Sequence, residues 1–458
     1  MNTARRDLHL NNVEKNSALA LDALDFFWKN PETGFKEWKA HKYLWDAFTA
    51  LGYEPVAAGE IPGFYADLDT GRPGPCVGIF GELDALIVEG HPECDPDTGA
   101  VHACGHCCQA AGLLALAAAL KEPGALEGLS GKIRLMAVPA EELIEVEFRE
   151  QLRRDGVIKY YGGKTEFMRL GILDGVDIAM MCHSTAGEAH YGNIMGGSNG
   201  FITKQITFNG RSAHAGGAPH RGINALYAAN QALNSINALR ETFVDSTHIR
   251  VHPIITSGGT VVNAIPEKVT MESYIRGATM EAVRDANNKV NRAIAASAAA
   301  LGAGVTLCDR PGYFPRLHDR ALMDLANEAM NSVLETVKYN PDGWGTGSCD
   351  LGDVSSVMPT VHPYIGGTAG TSHGVTFCIT DKSAAVLDMA RVHIMILELL
   401  LTDGAVRARD IVAGFRPTFG SIAEYLDYAD SFILDREAVK YDDKGNVLLN
   451  LGSEELAF

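Results

Sequence analysis

A thiol and an imidazole, Cys104 and His106, stand two positions apart with one glycine between them. Thiolate and imidazole are ligands for divalent transition metals such as zinc, and the glycine allows a tight turn that points both side chains at one ion. For His102, two residues before the thiol, we favour hydrogen bonding to a ligand over direct metal binding. A free cysteine beside a chance histidine is the alternative. The segment predicts a metal site.

Two adjacent carboxylates, Glu141 and Glu142, follow an apolar stretch over 132–139 that we predict to be a strand. Charged residues at a strand end can be ordinary surface charge. Adjacent carboxylates point in different directions, however, so one can bind a metal while the other accepts a proton from water. Asp84 and His183 also follow predicted strands. Because functional loops of α/β folds meet at the carboxyl ends of the strands, we expect these side chains to lie close together.

Two histidines late in the chain add to the candidate metal ligands, whereas other chemistries fit the residues less well. His362 and His373 lie in a glycine-rich region and offer these further ligands. The thiol of Cys104 could act as a nucleophile, but the paired glutamates would then have no role. The glycine-rich segments 196–198 and 345–348 lack the lysine and the spacing of a phosphate-binding loop.

The net negative charge of the chain limits the classes of partner that we expect it to bind. Its 458 residues carry a net charge of −18 and are 46% hydrophobic, which is sufficient for two domains with full cores. An acidic body is not attracted to nucleic acid or to an anionic membrane, so we expect neither as a partner. The polar start lacks a secretory signal, and no run is long enough to span a membrane. Nine scattered cysteines indicate reduced thiols and a cytoplasmic location.

Strands that alternate with helices predict an α/β sandwich with a largely parallel sheet over 1–195. We interpret the glycine-rich segment 192–200 as a hinge or linker. The β-α-β-β-α-β order over 196–307 predicts an inserted α+β, ferredoxin-like domain, and 308–458 is predicted to return to the first domain. The charged segment 142–160 is typical of a solvated helix.

The order of these motifs resembles the aminoacylase and carboxypeptidase metallohydrolase superfamily. The Asp84 loop, His-x-Cys-Gly-His, Pro-x-Glu-Glu, the strand-end His183 and a late histidine carry the resemblance, which covers about 19–415. It is greatest to the amidohydrolase branch, which includes aminobenzoyl-glutamate, hippurate and auxin-conjugate hydrolases. The resemblance implies a phosphorylase/hydrolase-like catalytic sandwich with an inserted dimerisation domain.

By this resemblance, Cys104 would bridge two metal sites and Glu141 would be the general base and acid. The further metal ligands that it implies are His106, Glu142, His183 and His373. One or two divalent ions per subunit are expected. Thiolate and imidazole suit zinc, while the carboxylates also allow manganese.

The resemblance also assigns roles within the inserted domain. His214, in the run 210–215, matches a histidine that reaches the active site of the partner subunit and stabilises the oxyanion. Asn263 lies in a segment similar to the family's Asn-x-x-Pro substrate loop, and Arg276 ends a following strand. Either residue could hold a substrate carboxylate. Without the resemblance, His214 and Arg276 would be typical surface residues.

The chain departs from the family pattern at two points. Cys107 stands where Asp or Asn commonly follows Cys-Gly-His, and a charged insertion replaces the glycine-rich turn after the glutamate pair. The first departure concerns the metal environment, and the second could reshape the substrate pocket.

The sequence therefore predicts an enzyme that uses a metal-activated water to cleave an amide C–N bond of a small carboxylated substrate. N-acyl amino acids, dipeptide-like amides and aryl amides are the expected classes, and a homodimer or higher homo-oligomer is the expected assembly. One alternative is an aminohydrolase that releases ammonia from an aromatic amine. Another is a non-catalytic metal-binding protein with the same fold, although the presence of Glu141 argues against it.

Overall fold

A computed structural model describes residues 2–451, which form two compact units. The first unit contains the residues up to Gly197, Arg316–Gly345 and Asp350–Ile422. The second unit contains the remaining segments, which are Ser198–Pro315, Thr346–Cys349 and the residues from Ala423 onward. The elements follow one another in this order: α1 (Thr3–Lys15), α2 (Ser17–Lys29), α3 (Trp38–Ala50), β1 (Val56–Ala57), β2 (Phe64–Asp69), β3 (Cys76–Glu82), β4 (Leu86–Ile87), β5 (Ala100–Val101), α4 (His106–Lys121), β6 (Lys132–Val138), α5 (Val146–Arg154), α6 (Gly163–Arg169), β7 (Ile178–Met180), β8 (His183–Ala186), β9 (Tyr191–Ser198), β10 (Gly200–Asn209), α7 (Ala225–Ala238), β11 (Arg250–Ser257), β12 (Lys268–Gly277), α8 (Met280–Ala300), β13 (Gly304–Pro311), β14 (Arg316–Leu317), α9 (Arg320–Asn331), β15 (Thr336–Gly345), α10 (Leu351–Ser355), β16 (Thr360–Val361), β17 (Tyr364–Ala369), β18 (Cys378–Ile379), α11 (Lys382–Leu401), α12 (Val406–Gly414), α13 (Ile422–Asp430), β19 (Leu434–Tyr441) and β20 (Val447–Leu449).

The main sheet of the first unit has the strand order β1-β2-β6-β3-β7-β16. Strands β6, β3, β7 and β16 are parallel, and β2 joins β6 in antiparallel register. Every residue of the apolar strand β3 is buried, as expected for a central strand covered on both faces. Helix α4 is buried except at Lys121 and packs against α2 and α11. The predicted α/β class with a largely parallel sheet is confirmed.

The boundary between the two units falls within the predicted hinge or linker 192–200, but most of this segment is strand β9 in a further sheet of the first unit and not a loop. Its glycines permit close packing. A Cβ atom at Gly192 would lie 2.6 Å from Cδ1 of Leu334, and one at Gly196 would collide with the carbonyl oxygen of Pro341. Glycine is used here for its size and not for backbone freedom.

The second unit contains an antiparallel sheet of order β11-β12-β10-β13-β19-β20, and α7 and α8 pack together and against it. The predicted β-α-β-β-α-β order is present from β10 to β13. The predicted boundaries differ from the structure, because β13 continues past residue 307 and β19 pairs with β13. The strands of 434–449 therefore extend the inserted sheet instead of the first unit. They cover an edge of β13 that would otherwise expose unpaired backbone groups.

The charged segment after the glutamate pair forms helix α5, and one of its faces is buried. Arg149 is 1% exposed and Glu150 is 5% exposed. The interpretation of this segment as a solvated helix is wrong for that face.

Separately, none of the helices within 2–451 combines the length and the apolar character required to cross a bilayer.

Candidate metal centre and active site

The turn that carries the thiol and the imidazole lies between β5 and α4, and His106 is the first residue of α4. Gly105 has a φ of 91°, in the left-handed region that favours glycine. A Cβ atom at this position would also collide with Oγ of Ser184. The glycine is thus required both by the backbone conformation and by the neighbouring strand, and the turn presents Cys104 and His106 on the same side of the sheet edge.

The strands place the other predicted ligands around Cys104. Its Sγ lies 3.4 Å from Nε2 of His183 and 3.3 Å from Nε2 of His373. The same nitrogen of His373 lies 3.0 Å from Oε1 of Glu142. Two donor groups, each with its ligand atoms within 4.8 Å of one another, therefore share Cys104: one also contains His106 and His183, and the other Glu142 and His373.

Neighbouring acceptors orient the imidazole rings. Nδ1 of His106 lies 3.0 Å from Oδ1 of Asp84, and Nδ1 of His183 lies 2.7 Å from the carbonyl oxygen of Ser184. In each ring these contacts assign the proton to Nδ1, which leaves Nε2 as the lone-pair donor. Asp84 also accepts a hydrogen bond from the main-chain nitrogen of Glu142 at 2.7 Å, so one carboxylate joins two of the donor residues.

Two buried donor atoms support the presence of a cation. Nε2 of His106 and Oε1 of Glu142 are buried, and neither has a hydrogen-bond partner in the described part of the chain. Charged neighbours are close to both atoms, but these contacts lack hydrogen-bond geometry. Unsatisfied buried polar atoms are costly, and coordination would satisfy both. The residues present fit a divalent metal with thiolate, imidazole and carboxylate ligands.

The electrostatics of the cluster favour the ligand form of the thiol. Burial would raise the pKa of Cys104, but the neighbouring His183 and His106 lower it well below its usual value. Burial and the charge of Cys104 raise the pKa of Glu142 to about 7. The hydrogen bond to Cys104 and the close contact with the Glu142 carboxylate raise the pKa of His373 to about 11. Thiolate and imidazolium stabilise each other here, and a bound cation would take the place of the protons.

Glu141 lies beside the donor groups. Its Oε2 is 3.8 Å from Nε2 of His106. Burial, with Glu82 and Glu142 nearby, raises the pKa of its carboxyl group well above the usual value. A buried carboxyl group whose proton affinity is raised, next to the candidate metal ligands, is suited to exchange a proton with a reacting water.

A buried charge network next to His106 is absent from the sequence-based predictions. Oε2 of Glu82 lies 3.1 Å from Nε2 of His106 and accepts a hydrogen bond from Gln109 at 2.6 Å. Its other oxygen pairs with Nζ of Lys164 at 2.5 Å, and Lys164 also pairs with Asp350. The only signal in the sequence is the position of Glu82 at the end of an apolar strand.

Cys107 and His362, which the sequence left open, are outside the donor groups. Cys107 is fully buried in the apolar core of the first unit, and burial raises the pKa of its thiol well above the usual value. It is therefore a packed neutral thiol and not an added ligand. The ring of His362 lies 5.7 Å from that of His183, centroid to centroid, and contacts Arg316.

Two of the predicted residues of the inserted domain lie on adjoining loops of the second unit. His214 is exposed and forms an isolated antiparallel β-bridge with Ala264. The carbonyl oxygen of Asn263 accepts a hydrogen bond from the main-chain nitrogen of Ala215 at 2.9 Å. Nδ1 of His214 accepts hydrogen bonds from the main-chain nitrogens of Gly216 and Gly217, at 3.2 and 2.9 Å. These contacts place the proton on Nε2, which is then a hydrogen-bond donor.

Arg276 lies in a groove of the second unit with a volume of about 390 Å³. Its Nη1 donates a hydrogen bond to Oγ of Ser348 at 2.8 Å, and its guanidinium group lies 4.9 Å from the ring centroid of Phe201. Arg250 stands directly opposite Arg276 in the β11–β12 register. The lining residues are Arg250, His252, Ile254, Glu272, Ser273, Tyr274 and Arg276. Two arginines against one glutamate make this groove suitable for an anion.

Comparisons with known proteins identify the family of this chain. A family model described as "Peptidase dimerisation domain" matches residues 196–301. The human Xaa-Arg dipeptidase is 30% identical over 366 residues, which cover 74% of this chain and 74% of that protein. The chain belongs to the M20 peptidase family of metal-dependent hydrolases. This result confirms the family that the sequence motifs resemble.

Two further proteins similar to this M20 chain extend the comparison. Indole-3-acetyl-aspartic acid hydrolase of Enterobacter agglomerans is 32% identical over 264 residues, 54% of this chain and 55% of that protein. The crystal structure of a Bacillus subtilis protein, described as a dinuclear metal-binding peptidase from the M20 family, has a TM-score of 0.62 at 20% identity. That match covers 84% of this chain and 99% of the other, and it shows a shared fold.

Proposed function

We propose that this M20 protein hydrolyses an amide C–N bond of a small carboxylated molecule. The expected substrates are N-acyl amino acids, dipeptide-like amides and aryl amides. The observation that carries the proposal is the pair of donor groups that share Cys104, with Glu141 beside them. The names of two relatives, a dipeptidase and a hydrolase of an acylated aspartate, describe the same bond type.

Within this proposal, two divalent cations would be held by Cys104, which belongs to both donor groups, together with the other donors. Those donors are His106, Glu142, His183 and His373. When bound, such cations polarise the amide carbonyl, acidify water and lower the pKa of nearby carboxyl groups. Thiolate and imidazole ligands favour zinc, whereas the two glutamates at the site are also compatible with manganese. The similar Bacillus subtilis protein is described as dinuclear, which supports two ions.

Glu141 provides the acid–base step of the reaction. It accepts the proton of the attacking water as the C–O bond forms, and it donates that proton to the leaving nitrogen as the C–N bond breaks. Its buried carboxyl group is close to the candidate ligands, and neither of the two donor groups that share Cys104 includes it. The two adjacent glutamates therefore divide metal binding and proton transfer between them.

His214 stabilises the developing oxyanion from the partner subunit. Its Nε2 carries the proton, since Nδ1 accepts two main-chain hydrogen bonds, and an N–H group aimed at a developing negative charge is the required donor. The match of residues 196–301 to a dimerisation domain supports an oligomer. We propose a homodimer whose active sites each use one histidine from the other chain.

Either Arg276 or Asn263 holds the substrate carboxylate, and the structure favours Arg276 for this role. A guanidinium group forms strong, directional hydrogen bonds with a carboxylate, and the groove around Arg276 adds Arg250 and His252. The cationic lining supports an anionic substrate group in this groove. The predicted cytoplasmic location stays a prediction.

A substrate panel tests the proposed function. The purified protein, loaded in turn with Zn²⁺ or Mn²⁺, is assayed for amine release from N-acyl amino acids, aryl amides and dipeptides, and for ammonia release from aromatic amines. Carboxamide analogues of the same substrates serve as matched controls for the carboxylate. We expect amine release from the carboxylated amides and much less from the carboxamides. Ammonia release from aromatic amines, with no turnover of any amide, would contradict the proposal.

A further inference from the structure

We propose that Arg149, on helix α5 after the glutamate pair, is a positioning residue for Glu141 and Glu142. Glu141 is the base and Glu142 a metal ligand only within the proposed function, so the inference rests on that function. The residue lies in the charged insertion that departs from the family pattern. Its guanidinium group binds the main chain of the turn that carries both carboxylates.

The guanidinium group is buried against main-chain carbonyl groups. Arg149 is 1% exposed, and its Nη2 donates to the carbonyl oxygen of Glu142. Its Nη1 donates to the carbonyl oxygen of Tyr161 and lies 3.4 Å from that of Ala140. A planar group with several donors can bind such a set of acceptors at once, whereas a lysine ammonium group provides a single point of charge.

The turn itself requires support. Ala140 has a φ of 58°, in the left-handed region that residues other than glycine adopt infrequently. Its main-chain nitrogen donates to Oε1 of Glu37 at 2.8 Å, and that of Glu142 donates to Oδ2 of Asp84 at 2.7 Å. A strained backbone persists where the surrounding structure holds it. Glu37 and Asp84 hold the N–H groups of this turn, and Arg149 holds its carbonyl groups.

The surroundings of the guanidinium group are shaped to admit it. Gly34 lies beside it, and a Cβ atom at that position would collide with Nη2 of Arg149. The ring of Phe35 is 5.4 Å from the guanidinium carbon. A side chain that merely anchored α5 would not need contacts with the carbonyl groups on both sides of Glu141. The geometry therefore connects the inserted helix to the placement of the two carboxylates.

The test compares Arg149→Met and Arg149→Lys with Arg154→Met. Arg154 is on the same helix, but its side chain is 67% exposed, so it controls for loss of charge on α5. We expect both Arg149 variants to lose kcat by roughly 100-fold with little change in KM, because a displaced catalytic group affects the rate more than substrate binding. If Arg149→Met does not fold, Arg149→Lys, which keeps the stem and the charge, supplies the result.

Two readouts separate positioning from a merely structural role. Cobalt(II) titration of the metal-free protein, followed by absorbance, should show weaker binding and altered ligand-field bands in the Arg149 variants alone. Guanidinium ion at millimolar concentration should restore part of the activity of Arg149→Ala, and urea at the same concentration should not.

Unchanged kcat and unchanged cobalt binding in a folded Arg149→Lys would overturn the proposal. So would a loss of thermal stability in the Arg149 variants with normal cobalt spectra. Absence of amide hydrolysis in the unsubstituted protein would instead contradict the proposed function, and the cobalt titration would still test Arg149.

Discussion

Nζ of Lys164 lies 2.5 Å from Oε1 of Glu82, and both side chains are completely buried. The other oxygen of Glu82 faces Nε2 of His106 at 3.1 Å. The ion pair thus fixes a carboxylate next to the nitrogen of His106 that is available to a metal. Burial would raise the pKa of Glu82, but Lys164 and His106 lower it below the usual value, so the carboxylate stays charged at this position.

The first prediction concerns this pair. Lys164→Met should destabilise the metal-free protein by about 3–5 kcal/mol, because removal of one partner leaves buried carboxylates without compensation. Urea unfolding gives the free energy of unfolding. Lys132→Met is the matched control. It removes a lysine that is 57% exposed and pairs with Asp69 at 3.5 Å, and it should cost at most about 1 kcal/mol. Equal stability of the two variants would show that the buried pair is not held as described.

The second prediction concerns the base. Glu141→Gln should retain the fold and the bound metal but lose kcat by about 100- to 10,000-fold, since the amide cannot accept a proton from water. Steady-state kinetics, elemental analysis and circular dichroism measure the three properties. Glu147→Gln is the control, because Glu147 is exposed on helix α5 and should keep normal turnover. A near-normal kcat in Glu141→Gln would remove the proposed mechanism.

The third prediction concerns the shared ligand. Cys104→Ala should abolish binding of at least one ion, because the thiolate belongs to both donor groups and alanine has no replacement for it. Elemental analysis after desalting gives the stoichiometry. Cys107→Ala removes a thiol three positions later that packs in the core, so it should keep the metal content and lose only stability. Full stoichiometry and activity in Cys104→Ala would make this residue a structural thiol.

Local spacing was sufficient to predict much of the centre. Cys104 and His106 are two positions apart, and Glu141 and Glu142 are adjacent, so their chemistry is visible in short segments. The Lys164 network is different: its partners Glu82 and Asp350 are 82 and 186 positions away. A buried lysine at that distance from its partners is indistinguishable in sequence from a solvated one.

Other differences between expectation and structure have a similar origin. Arg149 looked solvated because the charges of α5 surround it in sequence, whereas its acceptors are main-chain carbonyl groups that no sequence pattern displays. The glycines of β9 suggested a linker because glycine serves flexibility and close packing alike. Most residues of strand β19 are exposed or half-buried, and exposed side chains alternate with half-buried ones along its first half. Only the pairing of β19 with β13 assigns it to the inserted sheet.

The last prediction tests assembly through His214. His214→Ala should be inactive alone, because the developing oxyanion loses its N–H donor. Mixing it with Glu141→Gln should restore activity to about a quarter of normal, since about half of the dimers become heterodimers with one complete site each. Subunit exchange is verified by native mass spectrometry. The matched control mixes Glu141→Gln with a chain that carries both substitutions, a combination in which no site has both residues, and it should remain inactive. If verified heterodimers of the single variants are equally inactive, His214 acts within its own chain or has no role in catalysis.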